Sequence, residues 1–256
     1  MADIKILVAA HKPYWMPADA VYLPVQVGAA GKPSIDPAWQ RDDEGGNISA
    51  RNPEFCELTA LYWAWKNLAC DFIGLCHYRR YFGRRILHGD GEKRRAAIFG
   101  RADYERLLAG ADILLPTKRN YYIETVYSQY AHAHRASDLD ALRQLMAERC
   151  PEYLAAWEAV MRSRRLHILN MFVMRRELFD AYVAWLFDLL FALDAQLAPD
   201  DLGRARLFGF LAERLFNVWV KKQGLRARET SVVMLEPVNW LKKGSAFLKR
   251  KLGKRP

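Results

Sequence analysis

The sequence predicts an α/β fold with a mainly parallel central sheet flanked by helices. Two observations carry this prediction: short apolar runs recur along the chain, and segments with helical spacing lie between them. Buried parallel strands are near-continuous apolar runs, and strands that alternate with helices form a parallel sheet. The runs predicted as strands are Ile4–Ala10, Pro24–Gly28, Phe72–Tyr78, Asp112–Pro116 and Leu166–Met174.

The first helical segment follows the second predicted strand. Residues 52–68 begin with Asn52 as N-cap and Pro53 at the first helical position, both typical of a helix start. The polar side of this helix carries Glu57, Tyr62 and Lys66. The pattern alone leaves two interpretations open, a partly solvated face and a binding face.

Two further helices are predicted in the second half of the chain. One begins with Ser137 as its cap, and the other follows the last predicted strand from Arg176 onward. The apolar stretch 178–193 contains two aspartates and is shorter than the ~20 residues of a membrane span. We expect it to be a buried helix of a soluble protein.

Charge is concentrated at the C-terminal end. Residues 237–256 contain seven Lys or Arg residues and no acid, and they account for most of the net charge of +10. We therefore predict one domain over residues 1–236 and a basic, aromatic tail over 237–256. Basic residues interleaved with Trp, Phe and Leu suit an anionic membrane surface, and a merely solvated tail is the alternative. A nucleic-acid partner is disfavoured because the excess charge does not cover a face.

The N-terminal sequence and the cysteines predict a cytoplasmic protein, with a peripheral place on the inner face of the cell membrane if the tail binds there. The opening residues lack a signal-peptide pattern and form the first predicted strand. The four cysteines include no C-x-x-C pair and are expected to be free thiols. A P-loop, a G-x-G-x-x-G loop and a G-x-S-x-G elbow are absent.

Polar side chains follow three predicted strands. His11 follows the first, "GLCHYRRYF" brings His77, Arg79 and Arg80 to the end of the third, and residues 116–120 follow the fourth. Ligands of parallel sheets gather at the carboxyl ends of strands. Strand alternation places His77 and Arg79 on one face, so Arg79 is the arginine predicted to face an anionic ligand. A satisfied histidine and two surface arginines are the alternative.

Carboxylates and histidines at metal-ligand spacing are few. Asp42 and Asp43 lie in a Gly-containing loop that either binds a divalent cation or is solvated. The D-x-D letters at 138–140 fall at a predicted helix start, where acids favour the dipole. His132 and His134 lack a third ligand at a telling distance. We therefore predict no metal site, although Mn²⁺ or Mg²⁺ remains open.

Several stretches in order resemble one family, the domain of unknown function 4422 family. They are "HKPYWMP", "VQVGAA", "NISARNPEFCELTALYWAWKN", "DFIGLCHYRRYF", "ADILLPTKRNYYIETVYSQYAHAH", "ILNMFVMRRELFDAYVAWLF" and "GFLAERLFNVW". The resemblance implies a GT-A-like glycosyltransferase of bacterial capsule, exopolysaccharide or O-antigen synthesis. Some members are similar to galactofuranosyltransferases. In one departure from the family, the loop "DDEGGN" has Gly46 where an acid is usual.

The resemblance implies a nucleotide-sugar donor, expected to be UDP-linked, and a glycan or lipid-linked glycan acceptor. The alternative is a non-catalytic module that binds nucleic acid or anionic glycan. A sugar-phosphate hydrolase is disfavoured because no metal cluster or nucleophile elbow is evident.

Roles follow from the resemblance and the strand ends together. Glu213 or His77 would be the base, and Arg79 and Arg80 would neutralise the leaving diphosphate. Those four are the predicted catalytic residues. The predicted donor-binding residues are His11, Asn52, Glu57, Tyr62, Lys66, Lys118 and Arg119, and the predicted acceptor-binding residues are His134 and Asn170.

Overall fold

A computed structural model describes residues 2–86, 89–197 and 205–236. The strands are β1 Ile4–Ala10, β2 Tyr22–Gln26, β3 Gln40–Arg41, β4 Phe72–His77, β5 Arg80–Phe82, β6 Ile113–Pro116, β7 Arg119–Asn120, β8 Arg165–Leu166, β9 Phe172–Arg175, β10 Ala227–Thr230 and β11 Val232–Met234. The α-helices are α1 Asn52–Phe55, α2 Leu58–Asn67, α3 Gly91–Ala96, α4 Arg101–Leu108, α5 Val126–Ala133, α6 Ala136–Arg149, α7 Leu154–Arg162, α8 Arg176–Gln196 and α9 Leu207–Gln223. The predicted tail, 237–256, lies outside the described residues.

The main sheet has the strand order β10-β6-β9-β4-β1-β2-β3. β1 runs parallel to both β2 and β4, and β6 runs parallel to β10. β9 is antiparallel to β4 and β6 on its two sides. The predicted α/β fold with a mainly parallel sheet is confirmed. β7 and β8 form a separate two-stranded ribbon.

Both faces of the sheet are covered, as the apolar runs predict. Leu7 and Ala9 of β1 belong to one apolar core together with residues of α2, α8 and α9. The alternate residues Ile6 and Val8 belong to a second core on the opposite face. Because β1 is buried on both sides along most of its length, a ligand can reach it at its carboxyl end, where His11 is exposed.

The prediction of a single strand from Leu166 to Met174 is wrong. β8 ends at Leu166 and β9 begins at Phe172, and a loop joins them. Leu169 and Asn170 have φ of 81° and 51°, and left-handed residues cannot continue a strand. The loop is therefore free to face the site described below.

The prediction of one helix over residues 52–68 is also wrong. Cys56 has φ of 53° and ends α1, and α2 starts at Leu58. Asn52 is the first residue of α1 rather than its cap, and its amide donates to the Cys56 carbonyl at 2.7 Å and to Thr59 Oγ1 at 3.2 Å. Ser137 likewise lies inside α6, which begins at Ala136.

All four cysteines are free, as predicted. Within the described ranges, no helix combines the length and the apolarity needed to cross a membrane.

Candidate active site

A cleft of about 470 Å³ opens at the carboxyl ends of β1 and β4. Seven of the predicted site residues reach it. Its lining residues are Ala9, His11, Val27, Asn52, Pro53, Cys56, Glu57, His77, Tyr78, Arg79, Arg80, Leu169, Arg206, Gly209, Phe210 and Glu213. The cleft is thus lined by residues from the ends of β1 and β4, from the N-terminal turn of α1 and from the first turns of α9.

The stretch "GLCHYRRYF" changes direction inside the cleft. β4 ends at His77, Tyr78 and Arg79 form a turn, and Arg80 begins the antiparallel β5 opposite His77. The expectation that His77 and Arg79 share a strand face is therefore wrong, because the strand stops before Arg79. Both arginines nevertheless line the cleft.

Three arginines bring cationic groups to the cleft. Arg79 Nη1 is 2.9 Å from Glu236 Oε2, and both side chains are partly exposed. The Nε of Arg80 is buried and has no hydrogen-bond partner among the described residues. Burial lowers the pKa of Arg80, and neighbouring Arg79 lowers it further. Arg206, the residue that precedes α9, adds a third guanidinium.

Two carboxylates face these cations. Glu57 accepts a hydrogen bond from Asn170 Nδ2 at 2.7 Å. Glu213 accepts from the Leu169 amide at 2.8 Å and from Arg214 Nη1 at 3.0 Å. Burial raises the pKa of Glu213, although Arg214 and the Leu169 N–H act in the opposite direction. A carboxylate with a raised pKa in a cleft is well suited to accept a proton.

The loop between β8 and β9 is held by the cleft side chains themselves. The Leu169 N–H donates to Glu213, and the Leu169 carbonyl accepts from His77 Nε2 at 2.8 Å. A carbonyl only accepts, so Nε2 carries the proton and Nδ1 is the acceptor of the neutral ring. Asn170 donates to Glu57 and to the Gly209 carbonyl, and its Oδ1 is buried without a partner among the described residues.

Aromatic rings form the walls at two ends of the cleft. His11 meets Tyr78 edge-on with ring centroids 5.3 Å apart. Burial lowers the pKa of His11, and the charges of Lys12 and Arg79 lower it further, so this ring is neutral at pH 7. Phe210 lines the other end, and His134 packs against it at 4.2 Å. His134 therefore lies behind Phe210 rather than in the cleft.

Four predicted donor-binding residues are not brought into the cleft. Tyr62 and Lys66 lie on the side of α2 that packs on aromatic rings: Tyr62 contacts Phe187 at 5.0 Å, and Lys66 Nζ lies 3.4 Å from the Trp65 ring centroid. Their donor-binding roles stay predictions without support from this geometry.

The remaining two follow β6. Lys118 Nζ is 4.0 Å from Glu229, and the Arg119 guanidinium lies over the Tyr121 ring at 5.6 Å. The antiparallel β9 and then β4 stand between β6 and β1, so the end of β6 is displaced from the end of β1. Donor contacts by Lys118 and Arg119 also stay predictions.

Nine of the sixteen lining residues were not predicted as site residues, and three of them, Tyr78, Arg206 and Phe210, bring an aromatic or charged side chain to the cleft. Tyr78 lies within the quoted stretch, but strand alternation placed its side chain on the face opposite His77, so it was not predicted as a site residue. Phe210 is one of many apolar residues in α9, and its sequence context does not show that its ring lines the cleft. Arg206 lies ahead of the family-like block "GFLAERLFNVW" and carries no motif. Phe210 and Arg206 reach the cleft because of where the first turn of α9 packs in the fold, which the sequence does not show.

The acidic loop after β3 is structural. Asp42 is fully buried and accepts hydrogen bonds from Gly28 N at 2.8 Å, Ala29 N at 3.0 Å and the Ser49 hydroxyl. Asp43 pairs with Arg41 at 2.7 Å. The interpretations of a cation site and of a solvated loop are therefore both wrong for Asp42.

Metal-ligating clusters were sought throughout the described ranges. Those ranges contain no group of three or more His, Cys, Asp or Glu side chains that could hold a metal ion. In the cleft, Glu57 and Glu213 each already accept a protein hydrogen bond and face arginines. The cleft is therefore a better fit for an anion than for a divalent cation.

The family comparison agrees with the resemblance seen in the sequence. Residues 5–224 match the model described as Domain of unknown function (DUF4422), so the chain belongs to that family. A search of curated proteins finds no match.

A solved structure supports the fold. The chain is similar to one described as the WbbM bifunctional glycosyltransferase in its apo form, with 29% identity over 92% of this chain and a TM-score of 0.82. The present chain spans 46% of that protein's length. This similarity confirms the predicted GT-A-like α/β architecture.

Proposed function

We propose that this chain is a glycosyltransferase that transfers a hexosyl residue from a nucleotide-sugar donor to a saccharide acceptor. The observation that carries the proposal is the cleft in which three arginines and two carboxylates meet at the ends of β1 and β4. The similarity to a bifunctional glycosyltransferase over 92% of the chain supports the same class.

The arginines bind the diphosphate of the donor. Arginine presents a fork of donors that matches phosphate oxygens, and a guanidinium at the leaving group stabilises the charge that develops there. Arg80 has the strongest claim because its buried Nε lacks a partner among the described residues. Arg206 contributes a second cation, whereas Arg79 must share its charge with Glu236.

Glu213 acts as the base in a direct displacement. An acceptor hydroxyl oxygen attacks the anomeric carbon, and the bond between that carbon and the β-phosphate oxygen breaks. The hydroxyl proton passes to the Glu213 carboxylate, and the nucleoside diphosphate leaves with its electron pair. His77 is the second candidate: its Nε2 donates to the Leu169 carbonyl, so its Nδ1 would be the atom that accepts the proton. Glu213 is preferred because burial raises the pKa of its carboxyl.

The acceptor sugar lies against Phe210. A ring face that lines a cleft offers a stacking surface for the apolar side of a sugar, and His134 supports Phe210 from behind. Asn170 supplies a buried Oδ1 that can accept from a sugar hydroxyl. Glu57 orients Asn170 through its hydrogen bond of 2.7 Å.

The finer assignments rest on the family resemblance. We propose a UDP-linked donor with galactofuranose as the first sugar to test, and a role in capsule, exopolysaccharide or O-antigen synthesis. A cytoplasmic protein that works at the inner face of the membrane would meet both its donor and a lipid-linked acceptor.

Nucleoside diphosphate release tests the proposal. The full chain is incubated with a panel of UDP-, GDP- and dTDP-sugars and an oligosaccharide acceptor, with and without Mn²⁺. We expect acceptor-dependent release with one donor, and its loss in Glu213→Gln but not in the control Glu158→Gln, a partly exposed carboxylate on α7. Failure of every nucleotide sugar to bind or react would contradict the proposal. Salt-sensitive binding without turnover would instead favour a non-catalytic module.

A further inference from the structure

The segment between the end of β7 and the first turn of α5 exposes three large apolar side chains, Tyr122, Ile123 and Tyr127, which we call the tip. Among the described residues, the large apolar side chains that are exposed are Tyr122 at 75%, Ile123 at 61% and Tyr127 at 36%. Exposed apolar residues usually occur singly, and a cluster of them marks an interaction surface. Here the three lie within six positions of one another in the chain.

The tip is held rigidly in its exposed conformation. Tyr122 has φ of 59°, in the left-handed region that a tyrosine rarely adopts. Its N–H donates to Asn120 Oδ1 at 2.8 Å, and its carbonyl accepts from Arg164 Nη1 at 3.2 Å. The Ile123 N–H donates to the Tyr121 carbonyl at 2.8 Å. The exposure of the two side chains is therefore built into the loop.

Three arginines lie on one side of the tip. Arg119, Arg164 and Arg165 come from the β7–β8 ribbon and its edge and are all exposed. Within the described ranges, none of the three forms an ion pair with a carboxylate. Two acids lie near the tip: Glu124 is bonded to His132 Nδ1 at 2.8 Å, and Asp140 accepts a hydrogen bond from the Tyr127 hydroxyl at 3.1 Å. The positive side of the tip is therefore the side with Tyr122 and Ile123.

We propose that this tip docks on an anionic phospholipid bilayer. An aromatic and an aliphatic side chain enter the headgroup boundary while the arginines remain at the level of the lipid phosphates. A stable protein partner would bury about 800 Å² on each side, and three side chains fall well short of that. This proposal concerns residues other than the predicted basic tail, 237–256, which lies outside the described ranges.

The tip also lies beside the cleft, a point that rests on the proposed function. Tyr121, the residue before the tip, turns inward and packs against the main core. In α5, the helix that follows the tip, Gln129 accepts a hydrogen bond at 2.9 Å from Arg214, which also donates to Glu213. A bilayer on the tip would therefore bring a lipid-linked acceptor to the catalytic end of the cleft.

Vesicle co-sedimentation of the full chain tests the proposal. The neutral probe is phosphatidylcholine vesicles, and the anionic probe is phosphatidylcholine vesicles with about 30 mol% phosphatidylglycerol. We expect binding to the anionic vesicles, and a drop of about tenfold or more in the partition coefficient for the double variant Tyr122→Ser with Ile123→Ser. Arg119→Gln with Arg165→Gln should weaken binding to the anionic vesicles only.

The matched charge control is Arg84→Gln with Arg106→Gln, two exposed arginines that both contact Asp103. This control should bind anionic vesicles like the wild type. Hydrogen exchange should also slow over residues 119–127 when anionic vesicles are added. Wild-type partition of the Tyr122/Ile123 variant, or vesicle binding without this protection, would overturn the proposal. Donor binding in solution is measured on the same variants, so a failure of the proposed function is seen separately.

Discussion

At the scale of single residues, the raised pKa of Glu213 predicts how the activity depends on pH. Its raised pKa means that the carboxylate forms only above the usual range for glutamate, so activity should fall on the acid side at a higher pH than about 4.3. Glu213→Gln should lower kcat by about 10²- to 10⁴-fold. A pH–rate profile and steady-state kinetics measure both effects.

The stability of the same variant serves as the control. Between the ordinary and the raised pKa, the folded protein binds more protons than the unfolded chain, so its stability falls as pH rises through that range. Glu213→Gln removes this pH dependence and keeps an oxygen for the Leu169 N–H, but it leaves the buried Arg214 guanidinium without its carboxylate. The melting temperature of the variant should therefore be lower than that of the wild type at pH 7 and should depend less on pH across this range. An active Gln variant would exclude Glu213 as the base.

Asn170 stabilises the loop between β8 and β9 through its side-chain hydrogen bonds. Asn170→Ala removes the hydrogen bonds to Glu57 and the Gly209 carbonyl and should cost about 2–3 kcal/mol in unfolding free energy. Asn170→Gly loses the same bonds but accommodates φ of 51° without a Cβ, so it should be about 1 kcal/mol more stable than the Ala variant. Urea denaturation compares them, and equal stability of Ala and Gly variants would speak against backbone strain here.

At the scale of elements, the turn after β2 is fitted against the start of α1. Gly28 has φ of 62°, and a Cβ there would lie 2.6 Å from Asn52 Oδ1. Gly28→Ala should cost about 1–2 kcal/mol for the left-handed backbone and about 1–3 kcal/mol more for crowding. Gly31→Ala is the matched control, because it also has a positive φ and its Cβ would meet nothing within 4 Å.

The same denaturation measurement separates the two glycine variants. Gly31→Ala should show only the backbone cost. If Gly28→Ala were no less stable than Gly31→Ala, the contact between the turn and Asn52 would not constrain this wall of the cleft.

The elements were predictable from sequence where one pattern dominated. β1 coincides with its apolar run, and the alternation of strands and helices gives the sheet its mainly parallel character. The errors fall at Cys56, Leu169 and Asn170, where a residue other than glycine adopts a positive φ. Side-chain hydrogen bonds hold these conformations: Asn52 Nδ2 donates to the Cys56 carbonyl, the Leu169 N–H donates to Glu213, and Asn170 Nδ2 donates to Glu57. Glu213 and Glu57 are distant in the chain from the residues they hold, so a local pattern does not predict these two contacts.

The whole molecule brings together site residues that are far apart in the chain. His11, His77 and Glu213 were predictable as polar groups at strand ends or within family-like blocks. Arg206 was not, because its contribution depends on how the N-terminal end of α9 meets the turn after β4. Lys118 and Arg119 show the converse. They follow β6 and were predicted to share the edge where His11 follows β1, but β9 and β4 lie between β6 and β1 in the sheet.

Metal dependence is a property of the whole cleft. If the arginines bind the diphosphate as proposed, and because the carboxylates already accept protein hydrogen bonds, turnover should retain at least about half of its rate in excess EDTA, a change below ~0.4 kcal/mol in the barrier. Nucleoside diphosphate release with and without chelator measures this. Loss of activity that only Mn²⁺ or Mg²⁺ restores would contradict charge neutralisation by arginine alone.

Calorimetric titration of the donor nucleotide tests the central claim, that the cleft binds a nucleoside diphosphate on Arg80. The wild type should bind UDP or another nucleoside diphosphate, and Arg80→Gln should weaken that affinity by about 10- to 100-fold. Arg79→Gln should have a smaller effect, and Arg106→Gln, an exposed arginine on α4, should have none. A wild-type affinity in Arg80→Gln, or no binding of any nucleoside diphosphate to the wild type, would contradict it.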